Sequence, residues 1–264
     1  MTDFHTHSFF SGDAESSLEE NVRAALAANC KYFAPTEHFN PDFARHKINI
    51  PPSDLDGYAR EFARLRRICG NKINLTYGVE IGYDGDSLAE NKKAVETYDF
   101  EYVVNSVHLI KGVDCYTGYF NGRPKKQAFI NYMRAVRESL DAPYRYNTLG
   151  HFGYITRNCP YEDKDMYAAE PDLCDDILKT VIKKGVILEV NSAVRSAPQP
   201  ALPARKILMR YRELGGELII YGSDAHQSSS VMRSRPAVMR FLSDCGFKYH
   251  TALKGREILQ LPIE

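Results

Sequence analysis

The sequence predicts an α/β barrel of seven parallel strand–helix units, and three observations predict it. Short apolar runs alternate with amphipathic stretches of helical period, the pattern of a parallel sheet wrapped by helices. Histidine and carboxylate motifs stand at or just beyond the C-terminal ends of these runs, the edge of a barrel where all strand-to-helix loops converge. Two runs also place polar residues on one face and apolar residues on the other, which in a closed barrel turns the polar face inward. An open doubly wound sheet would struggle to bring six strand ends to one point, so the barrel is preferred. The strands are expected near residues 2–5, 32–36, 73–80, 102–107, 147–150, 186–191 and 218–222.

The first strand runs into His5 and His7, whose imidazoles lie two positions apart on one side of an extended chain and can serve one metal. Asp13, behind Ser11 and Gly12, reads from spacing as a turn residue. Ser17 and Glu20 form a capping box for a helix with Leu18, Val22, Ala25 and Leu26 on one face. The second strand leads to Glu37 and His38, with Glu37 either orienting its neighbour or solvated. Tyr58, Phe62, Leu65 and Ile68 form a helical stripe that Gly70 stops. In the third strand the even positions are Asn74, Thr76, Gly78 and Glu80, so Glu80 faces the interior, where a carboxylate can bridge two cations.

The fourth and fifth strands end at His108 and His151, each of which, alone, reads as a core histidine satisfied by backbone. A helix with Leu173, Ile177, Val181 and Ile182 ends at Gly185, and the sixth strand then aligns Glu189 and Asn191 opposite Leu188 and Val190. Residues 196–200, rich in proline, read as a loop into a helix with Ile207, Tyr211 and Leu214, ended by Gly215 and Gly216. After the seventh strand, Gly222 lets the backbone pass a crowded centre, and Asp224 and His226 repeat the pairing two positions apart. His46 and His250 lack such neighbours and read as ordinary histidines.

The 264 residues suffice for one large domain or two small ones, and the spread of motifs from His5 to His226 without a linker favours one domain over 1–264. Lys+Arg and Asp+Glu both number 34, so the basic excess of a nucleic-acid binder is missing and any anionic substrate must be held locally. Six scattered cysteines (Cys30, Cys69, Cys115, Cys159, Cys174, Cys245) without a Cys-x-x-Cys read as reduced, mostly buried thiols. The opening Met1, Thr2, Asp3, Phe4 and His5 lacks a basic region and apolar run, and no stretch approaches ~20 apolar residues, so a soluble cytoplasmic protein is expected. Imidazole and carboxylate donors without cysteine suit Zn, Mn or Fe(II) with exchangeable water positions, which points to a metallohydrolase.

These motifs together resemble the PHP (polymerase and histidinol phosphatase) superfamily over nearly the whole chain. The segments around Glu37–His38, Gly78–Ile81, Ser106–Ile110, Gly150–His151 and Leu188–Ser192 are similar to the PHP-type histidinol-phosphate phosphatases of histidine biosynthesis. The resemblance implies a distorted (β/α)7 barrel with its metal site at the C-terminal mouth, holding two or three divalent ions (Zn, Fe or Mn). It implies that His5, His7, Glu80 and Asp224 hold a first ion, that Glu80 bridges to a second on His108 and His151, and that Asp13, His38 and His226 hold a third. A histidine is common in the family at the place of Asp13, and Glu37 stands where the wider superfamily has aspartate. Arg157 and Arg195 are implied to clamp a phosphate dianion and to act with Asp224 and His226 in catalysis.

The reaction so implied is hydrolysis of a small phosphomonoester, foremost L-histidinol phosphate to L-histidinol and phosphate, by hydroxide that metals generate near neutral pH. Neither nucleic acid nor membrane is an expected partner. Glu37 and Tyr116 are candidates to read the imidazole and ammonium groups of such a substrate. The rivals are a phosphatase of another phosphoester such as phosphotyrosine or a nucleotide, a PHP nuclease, which the neutral charge disfavours, and a non-catalytic metal-binding module, which the two arginines disfavour.

Overall fold

A computed structural model describes residues 1–194 and 199–263 of the chain. Its strands are β1 (Thr2–Asp3), β2 (Tyr32–Phe33), β3 (Thr36–Phe39), β4 (Asn74–Leu75), β5 (Gly78–Gly82), β6 (Tyr102–Ser106), β7 (Leu109–Ile110), β8 (Val113–Asp114), β9 (Thr148–Leu149), β10 (Ile187–Asn191), β11 (Ile219–Gly222), β12 (Tyr249–Lys254) and β13 (Glu257–Pro262). The helices are α1 (Leu18–Ala27), α2 (Pro41–Arg45), α3 (Leu55–Cys69), α4 (Leu88–Tyr98), α5 (Lys125–Ser139), α6 (Pro171–Lys184), α7 (Arg205–Glu213) and α8 (Arg235–Asp244).

The strands pair in the orders β1-β2-β4 and β13-β12-β11-β10-β9-β6-β5-β3. The ring closes between the first and seventh units, where Phe4 N–H donates to Tyr221 O at 3.0 Å and Asp224 N–H to His5 O at 2.7 Å. All seven expected strands are present, and the distortion has identifiable causes. The runs expected at 32–36 and 73–80 each break in two at the same level, as β2/β3 and β4/β5. Pro35 at the first break has no N–H for a ladder, and Thr76 at the second turns its hydroxyl to the carbonyl of Leu253.

Leu253 belongs to an element that the sequence analysis did not assign. β12 pairs parallel with β11 through Ile220 and Thr251 and folds back on β13 as an antiparallel hairpin. Its Ala252 and Leu253 pack with Phe4, Ala34, Tyr102, Val104, Ile187 and Ile220, a cluster separate from the one beneath the helices. This apolar plug fills the barrel interior, each large side chain contributing roughly 1.5–3 kcal/mol by burial. The alternation read from the sequence holds above it: Glu80 registers with Val104, whereas Val79, Ile81 and Val103 join the helix-side core.

The helices bury their predicted stripes against the outside of the sheet. Ser17 and Glu20 cap α1 reciprocally, and α3 buries Tyr58, Phe62 and Leu65. Ile68, expected in that stripe, is 58% exposed, because Cys69 takes the inward place in the last turn. All six cysteines are buried and unpaired. Among the described residues, no helix is long and apolar enough to cross a membrane.

Candidate metal centre

Glu80, in the middle of β5 and fully buried, lies close to five imidazoles. Its Oε1 is 2.8 Å from His151 Nε2 and 3.3 Å from His108 Nε2. Its Oε2 is 2.7 Å from His38 Nδ1, 3.4 Å from His5 Nε2 and 3.7 Å from His7 Nε2. The histidines arrive from different units: His38 from β3, His108 and His151 from just beyond β6 and β9, and His5 and His7 from the segment after β1. Asp224, two residues past β11, brings Oδ1 to 3.3 Å from His7 Nε2 and 3.8 Å from His5 Nε2. Its φ of 53° is left-handed, a conformation that costs free energy in a non-glycine residue and is concentrated at functional sites. Gly222 is needed for a different reason: a Cβ there would run into Glu189 and the Cβ of His5.

Neighbouring groups fix how most of these imidazoles face. His226 Nδ1 lies 3.1 Å from the carbonyl of Asp224, which only accepts, so the proton sits on Nδ1 and the Nε2 lone pair faces the cluster. Asn40 Oδ1 meets His108 Nδ1 at 3.1 Å, and Glu189 Oε1 meets His5 Nδ1 at 2.6 Å. Behind His7 and His38 stands Glu37, to which the Ser8 N–H, the Ser8 hydroxyl and the Ser11 hydroxyl all donate. Ser11 Oγ also accepts from His38 N–H at 3.0 Å and lies 3.3 Å from His7 Nδ1. Glu37 is fully buried with both oxygens taken by Ser8 and Ser11, so it orients this wall, and its burial pushes the carboxyl up to about 7 despite the serine hydrogen bonds. Of the two residues considered for reading a substrate, only Tyr116 lines the cavity.

Asp13, which spacing made a turn residue, is in fact drawn into the cluster: its Oδ2 is 3.4 Å from His38 Nε2 and 3.5 Å from His226 Nε2, and those two nitrogens are 3.4 Å apart. The cluster opens into a cavity of about 510 Å³ whose wall includes Phe43, Ile48, Tyr116, Tyr154 and Arg157. Arg157 donates to Asp224 Oδ2 at 2.6 Å and Asn191 Oδ1 at 2.7 Å, with its guanidinium 4.9 Å from the Tyr154 ring centre. Arg195 and residues 196–198 of the proline-rich loop lie outside the described residues. His46 and His250 stand apart from the cluster, His46 against Gly112 and His250 beside Arg235.

The donor set fits divalent metal. His5 Nε2 and His7 Nε2 are buried yet have no hydrogen-bond partner among the described residues, a costly state unless a cation satisfies them. Donors around a tetrahedral ion bound at roughly 2.0–2.1 Å stand about 3.3 Å apart, and the separations His108–His151, His7–Asp224 and His108–Glu80 are 3.2, 3.3 and 3.3 Å. Protons alone serve these groups poorly. Burial would lower His5, yet Glu189, Glu80 and Asp224 raise it well above its usual range. His7 is driven well below, first by burial and then by its imidazole neighbours, His38 foremost. Burial would raise Glu80, but His5, His108 and His38 hold it well below the carboxylate range. Metals binding here would displace protons from a cluster already arranged as ligands. Several groupings satisfy the distances, including His5–His7–Glu80, His5–His151–Asp224 and His38–Glu80–His108.

Comparison with known proteins places this geometry in context. Residues 3–193 match the PHP domain. The chain is 30% identical over 253 residues to a probable histidinol-phosphatase of Clostridium acetobutylicum, covering 93% of this chain and 94% of the relative. It is 27% identical over 259 residues to the histidinol-phosphatase of Lactococcus lactis, covering 97% and 95%. The crystal structure of the histidinol phosphate phosphatase from Lactococcus lactis, complexed with Zn, L-histidinol and phosphate, superposes with a TM-score of 0.85 at 26% identity, covering 98% of both chains.

Proposed function

We infer, from the premise that the chain belongs to the PHP domain family, that it is a metal-dependent phosphomonoesterase hydrolysing L-histidinol phosphate to L-histidinol and phosphate. The observation that carries this reading is the convergence of imidazole and carboxylate donors on Glu80 in a cavity that also holds the Arg157 guanidinium. The likeness to relatives that are histidinol-phosphatases over nearly their full length supports the substrate.

His5, His7, Asp224 and Glu80 would hold one ion, Glu80, His108 and His151 a second, and Asp13, His38 and His226 a third, with zinc, iron or manganese as candidates. When bound, such ions supply hydroxide near neutral pH and positive charge against the phosphoryl oxygens. The chain's own residues do the rest. Glu80 offers one oxygen to each side of the cluster and so would help to hold two cations close. Arg157, held by Asp224 and Asn191 and backed by Tyr154, presents its remaining N–H groups to a phosphate dianion, whose oxygens match the guanidinium fork. Arg195 is proposed as its partner from sequence alone. His226, with its Nδ1 proton committed to the Asp224 carbonyl, keeps Nε2 free as a donor of electrons to a metal. Phe43 and Ile48 on the wall reduce access of bulk water, which strengthens every charge interaction inside. Tyr116, with Asp114 and Glu15, faces the remainder of the substrate, where an aromatic ring and acids suit imidazole and ammonium. Residues 1–264 would work as one domain.

The test is phosphate release over a panel of L-histidinol phosphate, phosphotyrosine and a nucleoside monophosphate, with metal content measured on the same sample. Preferential cleavage of L-histidinol phosphate, lost on chelation and restored by zinc or manganese, is the expected result. Cleavage of the other monoesters alone would keep the chemistry and overturn the substrate.

A further inference from the structure

Glu189 is an acid on β10 that no step above employs. It is 1% exposed and faces the barrel interior. Its Oε1 takes His5 Nδ1 at 2.6 Å and Asn191 Nδ2 at 3.0 Å, and its Oε2 takes the backbone N–H of His151. The orientation of Asn191 is not arbitrary, because Ala193 N–H, which can only donate, meets Asn191 Oδ1 at 2.9 Å. Asn191 therefore turns its NH2 toward Glu189. With a backbone N–H and an amide NH2 among its partners, the carboxylate accepts on both oxygens, and the His5 proton belongs on Nδ1. The Nε2 lone pair of His5 is then left facing Glu80 and Asp224.

The second oxygen does a different task. β9 is only two residues long, and its ladder to β6 ends with Gly150 N–H on Asn105 O, one residue short of His151. Glu189 supplies a hydrogen bond to the His151 amide itself, and any side chain at position 222 would collide with the Glu189 carboxylate.

We propose that Glu189 is a positioning residue for two metal pockets at once: one oxygen sets the tautomer of His5 in the first, and the other anchors the backbone of His151 in the second. This rests on the reading that His5 and His151 are metal ligands. Glu189→Gln keeps the shape but replaces one acceptor by an NH2 donor, which must oppose either the His5 and Asn191 donors or the His151 amide. Outer hydrogen-bond partners of ligating histidines are commonly worth 10- to 100-fold in metal affinity.

The experiment is chelator competition with zinc on the wild-type chain and on E189Q, with the thermal midpoints of both metal-free proteins. A loss of zinc affinity of about 10- to 100-fold in at least one of the two pockets is expected. Equal zinc affinity in the folded variant, or a lowered midpoint with unchanged affinity, would overturn the assignment of Glu189 and leave the metal site standing. Wild-type protein that binds no zinc would overturn both. Should E189Q not fold, NMR of zinc-loaded wild-type protein labelled with 15N-histidine decides the matter. A slowly exchanging proton on His5 Nδ1 is expected, and a proton on His5 Nε2 would overturn the proposal.

Discussion

Five imidazole nitrogens stand within 3.7 Å of the two oxygens of Glu80, and that residue was legible because strand alternation put it on the inner face. Asp13 and Glu37 show where single-residue reading stops. Asp13 follows a glycine in a loop, and only the meeting of units one, two and seven brings it to His38 and His226. Glu37 read equally as an orienter or a solvated acid, and what decides is the pair Ser8 and Ser11, whose hydroxyls lie far from it in sequence. Arg157 carries the first prediction. Removing one well-placed donor to a transition-state oxyanion typically costs about 10²- to 10³-fold, so Arg157→Ala should lower kcat/KM by about that factor while zinc content measured by mass spectrometry stays at the wild-type level. Asp13→Ala, in contrast, should release the ion of the Asp13–His38–His226 group while those on Glu80 remain, which zinc stoichiometry reads directly.

The C-terminal hairpin went unassigned in the sequence because after His226 there is no further ligand motif to mark a strand end. Its pattern was nonetheless present: β12 buries its central four residues and leaves both ends exposed, and β13 alternates. Leu253 is fully buried in the interior plug, so Leu253→Ala should cost roughly 2–5 kcal/mol in urea unfolding. The contact of α8 with β12 adds a pH dependence. Burial, aided by Arg235, lowers His250 to about 4 from its usual 6.5, so the folded state holds it neutral where the unfolded state protonates it. Above 6.5 both states are neutral and the group has no effect. As pH falls from 6.5 toward 4 the unfolded state gains a proton that the folded state refuses, and stability is lost by up to about 3 kcal/mol. His250→Gln should remove that part of the acid slope, seen as a difference between variant and wild-type unfolding free energies that shrinks toward pH 7 and grows toward pH 4.

At the scale of the molecule, a chain with balanced charge gathers six histidines and three carboxylates of distant sequence into one cluster, buried except at Asp13 and His226 on its open side, by closing a seven-unit barrel. The order of units, the edge that carries the clustered imidazoles and carboxylates and the inward face of Glu80 and Glu189 were all readable, since each follows from local period and motif position. The breaks after Phe33 and Leu75, the plug from the far C-terminus and the hydrogen bonds that settle the tautomers were not, because they depend on partners that only the closed ring brings together. The same closure leaves several groupings of donors within reach of one ion, and the functional reading commits to particular ones. Anomalous diffraction at the zinc edge from zinc-loaded crystals tests that commitment most directly. Peaks bounded by His5, His7, Asp224 and Glu80 and by Glu80, His108 and His151 are the expected result. A single peak held by His38, Glu80 and His108, or zinc bound only outside the cluster, would contradict it.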